Sequence, residues 1–299
     1  HPASVFQGVT SHIIGQDGIS YAPASVENQR RLRHYFAGIN GDPALDFSWR
    51  SVAEYLSCFD RTTALNIAYL LPQGTIRQEV MGLDPRTPTP EEIGRMQALA
   101  VQGMNEGAVG LSTGMDYLPC FYSSTEELVA LCKPVAELGG VYVTHVRPFR
   151  GGIAHSVEEV AQIGREAGIP VHVSHYNGPA ELLSRLVEKH RGNGVDLTFD
   201  TYPYLAGCSI LSMVALPRWA EEGGPEATLE RLKDPSVRTR LEDHFADPTH
   251  PMQSLQIAFA DSEEDRELEG LTVPEAAARR QQTVGTLICE LLLRTRLRV

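Results

Sequence analysis

Cysteine is scarce in this sequence and never falls into a CxxC pair. The five present, Cys58, Cys120, Cys132, Cys208 and Cys289, are an odd number at wide spacing. That pattern argues against a disulfide framework and predicts a reducing, cytoplasmic setting. Long apolar runs are missing as well. No stretch approaches the roughly 18 residues of a membrane span, and the first residues lack the basic-then-apolar order of a signal peptide, so no membrane partner is expected. Positive charge is in deficit, with 26 basic against 38 acidic residues and a net charge of −12. This balance gives no support for nucleic acid or an anionic membrane as partner. The short group Arg30, Arg31 and Arg33 reads as a solvated face. No GxGxxG follows the first apolar run and no GxxxxGK[ST] occurs anywhere, which excludes the usual phosphate cradles of nucleotide folds. Internal repeats and low-complexity tracts are absent.

With 299 residues, 42% of them hydrophobic, the chain can bury a large core in one big α/β domain or two smaller ones. Short Val- and Ile-rich runs predict strands near Val9–Ile14, Leu65–Leu71, Ala108–Ser112, Val141–Val146, Pro170–Ser174 and Val195–Asp200. Helical patterns lie between them at Pro90–Glu106, where TPEE supplies a cap and early acids, at Ser124–Leu138 with a capping-box-like SSTEE, at Ser156–Ala167 and at Ala180–Arg191. Glycine follows each helix before the next strand. Repeated βα units without a nucleotide fingerprint favour a (β/α)8 TIM-like barrel over an open doubly wound sheet. From about Pro217 the character changes to charged helical stretches. Residues 1–216 are therefore expected to form a partial barrel, and 217–299 a helical insertion or subdomain of it. The chain opens on His1 rather than Met, which is the expectation for a processed protein or an internal segment.

In a parallel barrel the C-terminal ends of the strands line the active-site mouth. Four such ends are rich in polar groups: GQDG after the first strand, VTHVR after the fourth, VSHY after the fifth and FDTYPY after the sixth. His145 and His175 occupy equivalent positions on consecutive strands, which lie about 4.8 Å apart, so their imidazoles can converge on one ion. Asp17 can add an anionic oxygen, although Asp-Gly is also an ordinary turn pair. Such a site would polarise a carbonyl and lower the pKa of a bound water, as hydrolysis requires. Tyr117, in the Gly-rich GLSTGMDYLP segment, can donate to a polarised oxygen. Arg147, Tyr176 and Tyr202 are further candidate substrate contacts; an arginine at such a loop is also a common structural bridge. Period-two alternation sets His172 opposite Val173 and His175, so it is read as structural, together with His12, His34, His155, His190, His244 and His250.

The ordered set GVTSHIIGQDGISYAP, EGAVGLSTGMDYLP, YVTHVR, IPVHVSHY and FDTYPYLAG resembles the N-acyl-D-amino-acid deacylases, or D-aminoacylases, of the amidohydrolase superfamily. The resemblance runs from about Phe6 to Leu216 and more faintly through EEDRELEGLTVPEAA. It implies a zinc-dependent hydrolase, with one or two ions in the complete protein, that cleaves the amide of an N-acylated D-amino acid to a carboxylate and a free amine. It further implies that His145 and His175 bind the tightly held zinc, that Tyr117 contacts the substrate amide, and that Asp17 stands where better-known members carry the cysteine of a GNCG loop. The family's HxH pair, its SDG aspartate acting as general base, its N-terminal β-sandwich and its substrate-carboxylate-binding arginine have no counterpart in the sequence. The general base is accordingly expected beyond Val299, and this piece alone is expected to be inactive. Two other readings stay open: hydrolysis of another amide, such as a cyclic amide or an isoaspartyl dipeptide, and a non-catalytic binding module derived from a barrel.

Overall fold

A computed structural model describes the chain except for His1, Asp42, 148–151, Asn177, 248–250, Asp261 and Val299. The expected histidine at position 250 therefore lies outside the described residues. All six expected strands form: β1 (Ser11–Ile14), β2 (Asn66–Pro72), β3 (Gly110–Gly114), β4 (Val141–His145), β5 (Val171–Val173) and β6 (Leu197–Phe199). They pair in chain order and every pair is parallel. A doubly wound sheet reverses its order at a switch point, whereas consecutive parallel pairing is the wall of a barrel. Six strands make an incomplete one.

Local sequence explains the crossovers. Thr89 accepts a hydrogen bond from the Glu92 amide at 3.3 Å while Glu92 accepts from the Thr89 amide at 2.8 Å, and Pro90 opens the helix Pro90–Asn105. The similar signal at Ser124 is only half used. Its hydroxyl accepts from the Glu127 amide at 3.2 Å, but the Glu127 carboxylate turns inward to Arg77, Ser123 and Gln73. The helix Thr125–Glu137 buries Leu128, Leu131, Cys132 and Val135, a spacing that keeps one face against the sheet. The helix Ile153–Ala167 does the same with Val157, Val160, Ala161 and Gly164. The helix Ala180–Gly192 completes the β5–β6 crossover.

Register places Leu71, Leu111, Tyr142, Val171 and Leu197 side by side across five strands, all essentially buried in one core. The opposite face of the sheet, with Leu70, Val143, His172 and Thr198, borders a cavity of about 540 Å³. Helices at Val26–Asn40, Val52–Ser57 and Gln73–Met81 were not legible from the pattern. All five cysteines are free, and no described helix is long and apolar enough to cross a membrane.

The chain divides into two compact units, His1–Gln29 with Asp46–Pro203, and Arg30–Leu45 with Tyr204–Val299. The second unit thus starts before the expected 217 and recruits a distant piece of chain. Its core joins Leu229, Leu232, Leu241, Phe245, Leu287, Ile288, Leu291 and Leu292 from four helices, Pro225–Lys233, Pro235–Phe245, Val273–Arg280 and Val284–Arg294, the third supplying Ala276 and Ala277.

Candidate metal centre

Three elements of the first unit carry the candidate ligands. Beyond β1 the chain turns through Gly15 and a single 3-10 turn, Gln16–Gly18, where Asp17 takes φ +58°. Asp tolerates this left-handed conformation better than most residues. Ser112, fully buried on β3, holds the turn at both ends: its hydroxyl donates to the Gly15 carbonyl and accepts from the Gly18 amide at 3.1 Å. Gly18, at φ +71°, is required there, since a Cβ would fall 2.5 Å from Cys120 Sγ and 2.8 Å from the Gly114 nitrogen.

His145 ends β4, opposite Gly114 in register. His175 lies two residues past β5 and adopts φ +35°. The strand alternation that would set His175 with Val173 therefore stops before it, and its ring is aimed by the turn instead. The outcome is convergence: His145 Nδ1 and His175 Nε2 are 2.9 Å apart, and His175 Nε2 lies 4.0 Å from Asp17 Oδ1. Among the described residues this is the one group of three His, Cys, Asp or Glu side chains whose donor atoms all approach within 4.8 Å of one another.

The donor set suits a metal ion. Two ligands 2.0–2.1 Å from one tetrahedral ion stand about 3.3 Å apart, a value bracketed by the two separations. Burial, helped by His175, pushes His145 down to about 4, so its imidazole is neutral at ordinary pH and has a lone pair to give. Asp17 is pushed up by burial, drawn down by His175 and raised again by Asp200.

Tyr117 joins the trio. Its amide donates to the Gly114 carbonyl at 2.9 Å, its ring lies 4.8 Å from that of His145, and its hydroxyl is 3.4 Å from His145 Nδ1. Burial, with Asp17 and Tyr202 nearby, lifts its phenol above the ordinary tyrosine range, which keeps the O–H as a donor. The Tyr202 ring stands 6.4 Å from that of His175 and is more than a third exposed.

Two candidate substrate contacts are placed otherwise. Arg147 spends its guanidinium on Glu159 at 3.2 Å, the Phe121 carbonyl at 2.9 Å and the Ser123 carbonyl at 2.7 Å. It is the structural bridge, tying the segment before one helix to the flank of the next. Tyr176 is 3% exposed and belongs to the core, its ring edge-on at 5.4 Å to the exposed Phe199, and burial pushes its phenol up to about 12.

Two residues that matter locally carry little signal of their own. Ser112 sits in GLSTG as an apparently ordinary small residue. Asp200 is visible as a polar strand end, but its partners are not: Oδ1 accepts from the His175 amide at 2.7 Å and Oδ2 meets His172 Nε2 at 2.9 Å. His172 also meets Thr198 Oγ1 at 2.8 Å on Nδ1, a hydrogen-bonded role as its strand position implies.

No family model matches the chain. It is 34% identical over 215 residues, 69% of its length, to a D-aminoacylase of Alcaligenes xylosoxydans xylosoxydans. The chain is a relative of the D-aminoacylases. A crystal structure of D-aminoacylase, described as defining a subset of amidohydrolases, superposes over 96% of the chain with TM-score 0.69 at 28% identity. An N-acyl-D-glutamate deacylase of Bordetella bronchiseptica, solved with zinc and a phosphonate inhibitor mimicking the tetrahedral intermediate, superposes over 97% with TM-score 0.73 at 25% identity. The likeness to these neighbours covers nearly the whole chain and agrees with a sheet that is part of a barrel. The chain spans about half of their lengths, 43% of the first and 54% of each solved structure.

Proposed function

We propose that this chain carries a metal site for hydrolysing the amide bond of N-acyl-D-amino acids, with Asp17, His145 and His175 as ligands and zinc as the ion. The observation that carries the reading is the convergence of those three side chains, drawn from three separate strand ends, within 4.8 Å. An ion held there would supply Lewis-acid polarisation of the acyl carbonyl and a water of lowered pKa. Three of the chain's own groups would assist that ion. Burial keeps His145 unprotonated and ready to bind. Tyr117, protonated and 3.4 Å from His145 Nδ1, is placed to donate a hydrogen bond to an acyl oxygen as negative charge develops on it. Tyr202 offers an exposed ring beside His175 for the remainder of a small substrate.

The test is metal content by elemental mass spectrometry on the purified chain and on a His145→Ala/His175→Ala variant, followed by assay of N-acetyl-D-amino acids beside cyclic amides and isoaspartyl dipeptides with the full-length protein. About one zinc per chain, lost in the variant, supports the site. A folded wild-type chain without metal overturns it. Turnover of the cyclic or isoaspartyl compounds in preference to N-acetyl-D-amino acids would keep the metal site and replace the substrate.

A further inference from the structure

We infer that Asp200 is a positioning residue for the metal centre, acting through the backbone of His175 rather than by touching an ion or a substrate. His175 is not glycine, yet it holds φ +35°, a conformation that L residues seldom adopt. That backbone angle swings its ring towards His145, against the direction the strand alternation would impose. Something must hold the turn in place.

Residues 173–176 are held by hydrogen bonds to Asp200 and to β4. The Asp200 amide donates to the Val173 carbonyl at 3.1 Å, the Tyr176 amide donates to the Asp200 carbonyl at 2.7 Å, and the Ser174 amide donates to the Thr144 carbonyl on β4 at 2.9 Å. These are main-chain bonds that any residue at position 200 would keep. The His175 amide is different, because its acceptor is a side-chain atom, Asp200 Oδ1, at 2.7 Å. A hydrogen bond to a carboxylate is shorter and stronger than a neutral one, and this one falls on the residue whose geometry is least ordinary.

The carboxylate is itself aimed. Its second oxygen accepts from His172 Nε2 at 2.9 Å, while Nδ1 of the same ring faces Thr198 Oγ1 at 2.8 Å. Thr198 and Asp200 lie two positions apart near the end of β6, with His172 across from them on β5. The chain Thr198, His172, Asp200 and the His175 amide thus runs across two strands and ends on a candidate ligand. Asp200 is 55% exposed, so replacing it removes the clamp without opening the core.

Asp200→Ala and Asp200→Asn separate the parts, since asparagine retains an oxygen for the His175 amide and alanine does not. Amide hydrogen exchange at His175 in the metal-free full chain reads the clamp directly, and zinc affinity reads its consequence; only the second rests on the metal-site proposal. Expected are exchange at His175 faster by at least about tenfold in D200A, zinc binding weaker by about 10–100-fold, and partial restoration of both in D200N, which keeps one oxygen but neither the charge nor the second acceptor. Unchanged His175 protection in D200A overturns the inference, whether or not zinc affinity falls. Failure of D200N to restore protection overturns it too. A wild-type chain that binds no zinc would sink the metal-site proposal while His175 exchange still decides the role of Asp200. Amides of β3 serve as the folding control.

Discussion

Replacing Gly114 by alanine should damage the metal centre through one misplaced methyl group. Gly114 ends β3 beside His145, and a Cβ there would lie 2.3 Å from the Asp17 carbonyl oxygen and 2.4 Å from Tyr117 Cδ2. Real Cβ contacts essentially never fall below 3.0 Å, so the Asp17 backbone and the Tyr117 ring must each retreat from the new methyl, by about 0.7 and 0.6 Å. Metal–ligand distances tolerate only about 0.2 Å. The strain itself costs about 1–3 kcal/mol, as overpacking does. For a chain of this size that lowers Tm by roughly 2–5 °C. Zinc affinity should fall by at least tenfold, equivalent to about 1.4 kcal/mol. Calorimetric melting and competition with a fluorescent zinc chelator measure the two effects. Gly94 is the control: it lies inside the helix Pro90–Asn105 with nothing near the position of a Cβ. Gly94→Ala should stabilise by about 0.5–1 kcal/mol and leave zinc binding alone. A G114A protein that melts and binds zinc like wild type would refute the steric account of how the Asp17 turn and Tyr117 are held.

Three further outcomes are expected. Ser112→Ala strands the buried Gly18 amide and should cost about 1–3 kcal/mol, with weaker zinc binding by chelator competition; unchanged binding would show that the Asp17 turn needs no clamp. Arg77 is fully buried, with Nε 3.2 Å from Glu127 and its other nitrogens on the Asp84 and Arg86 carbonyls at 2.8 Å, so Arg77→Met should lose roughly 3–5 kcal/mol by leaving Glu127 unpaired, read as a denaturant midpoint shift. Burial pushes the Glu221 carboxyl up to about 7 from an ordinary 4.5, opposed by Arg218. The folded state then holds this proton more tightly than the unfolded one, so the contribution is complete below about pH 4.5 and is lost as pH rises through about 7. Glu221→Gln should accordingly be more stable than wild type by about 3 kcal/mol near pH 8 and equal to it near pH 4, and parallel melting curves at both pH values would contradict this.

Local signals carried the strands, the crossover helices and the polar strand ends into plain view. Short Val- and Ile-rich runs and caps such as Thr89 with Glu92 act over a few residues, so the sequence alone determines them. The order of βα units then leaves few topologies for six parallel strands, and the candidate ligands Asp17, His145 and His175 follow from where those strands end. Long-range packing decided the rest. Arg147 became a bridge because Glu159 and two carbonyls were within reach, and Tyr176 went inward to join the apolar core that holds Val173 and Leu183. Arg30–Leu45 joined the C-terminal unit across more than 150 intervening positions, something composition does not encode. The finest features depend on pairs far apart in the chain, Ser112 with Gly15 across 97 positions and Asp200 with His175 across 25. A sequence states which donors and acceptors exist; only the folded chain brings one to face another, because hydrogen bonds form over about 3 Å and carry no signal along the sequence between their partners.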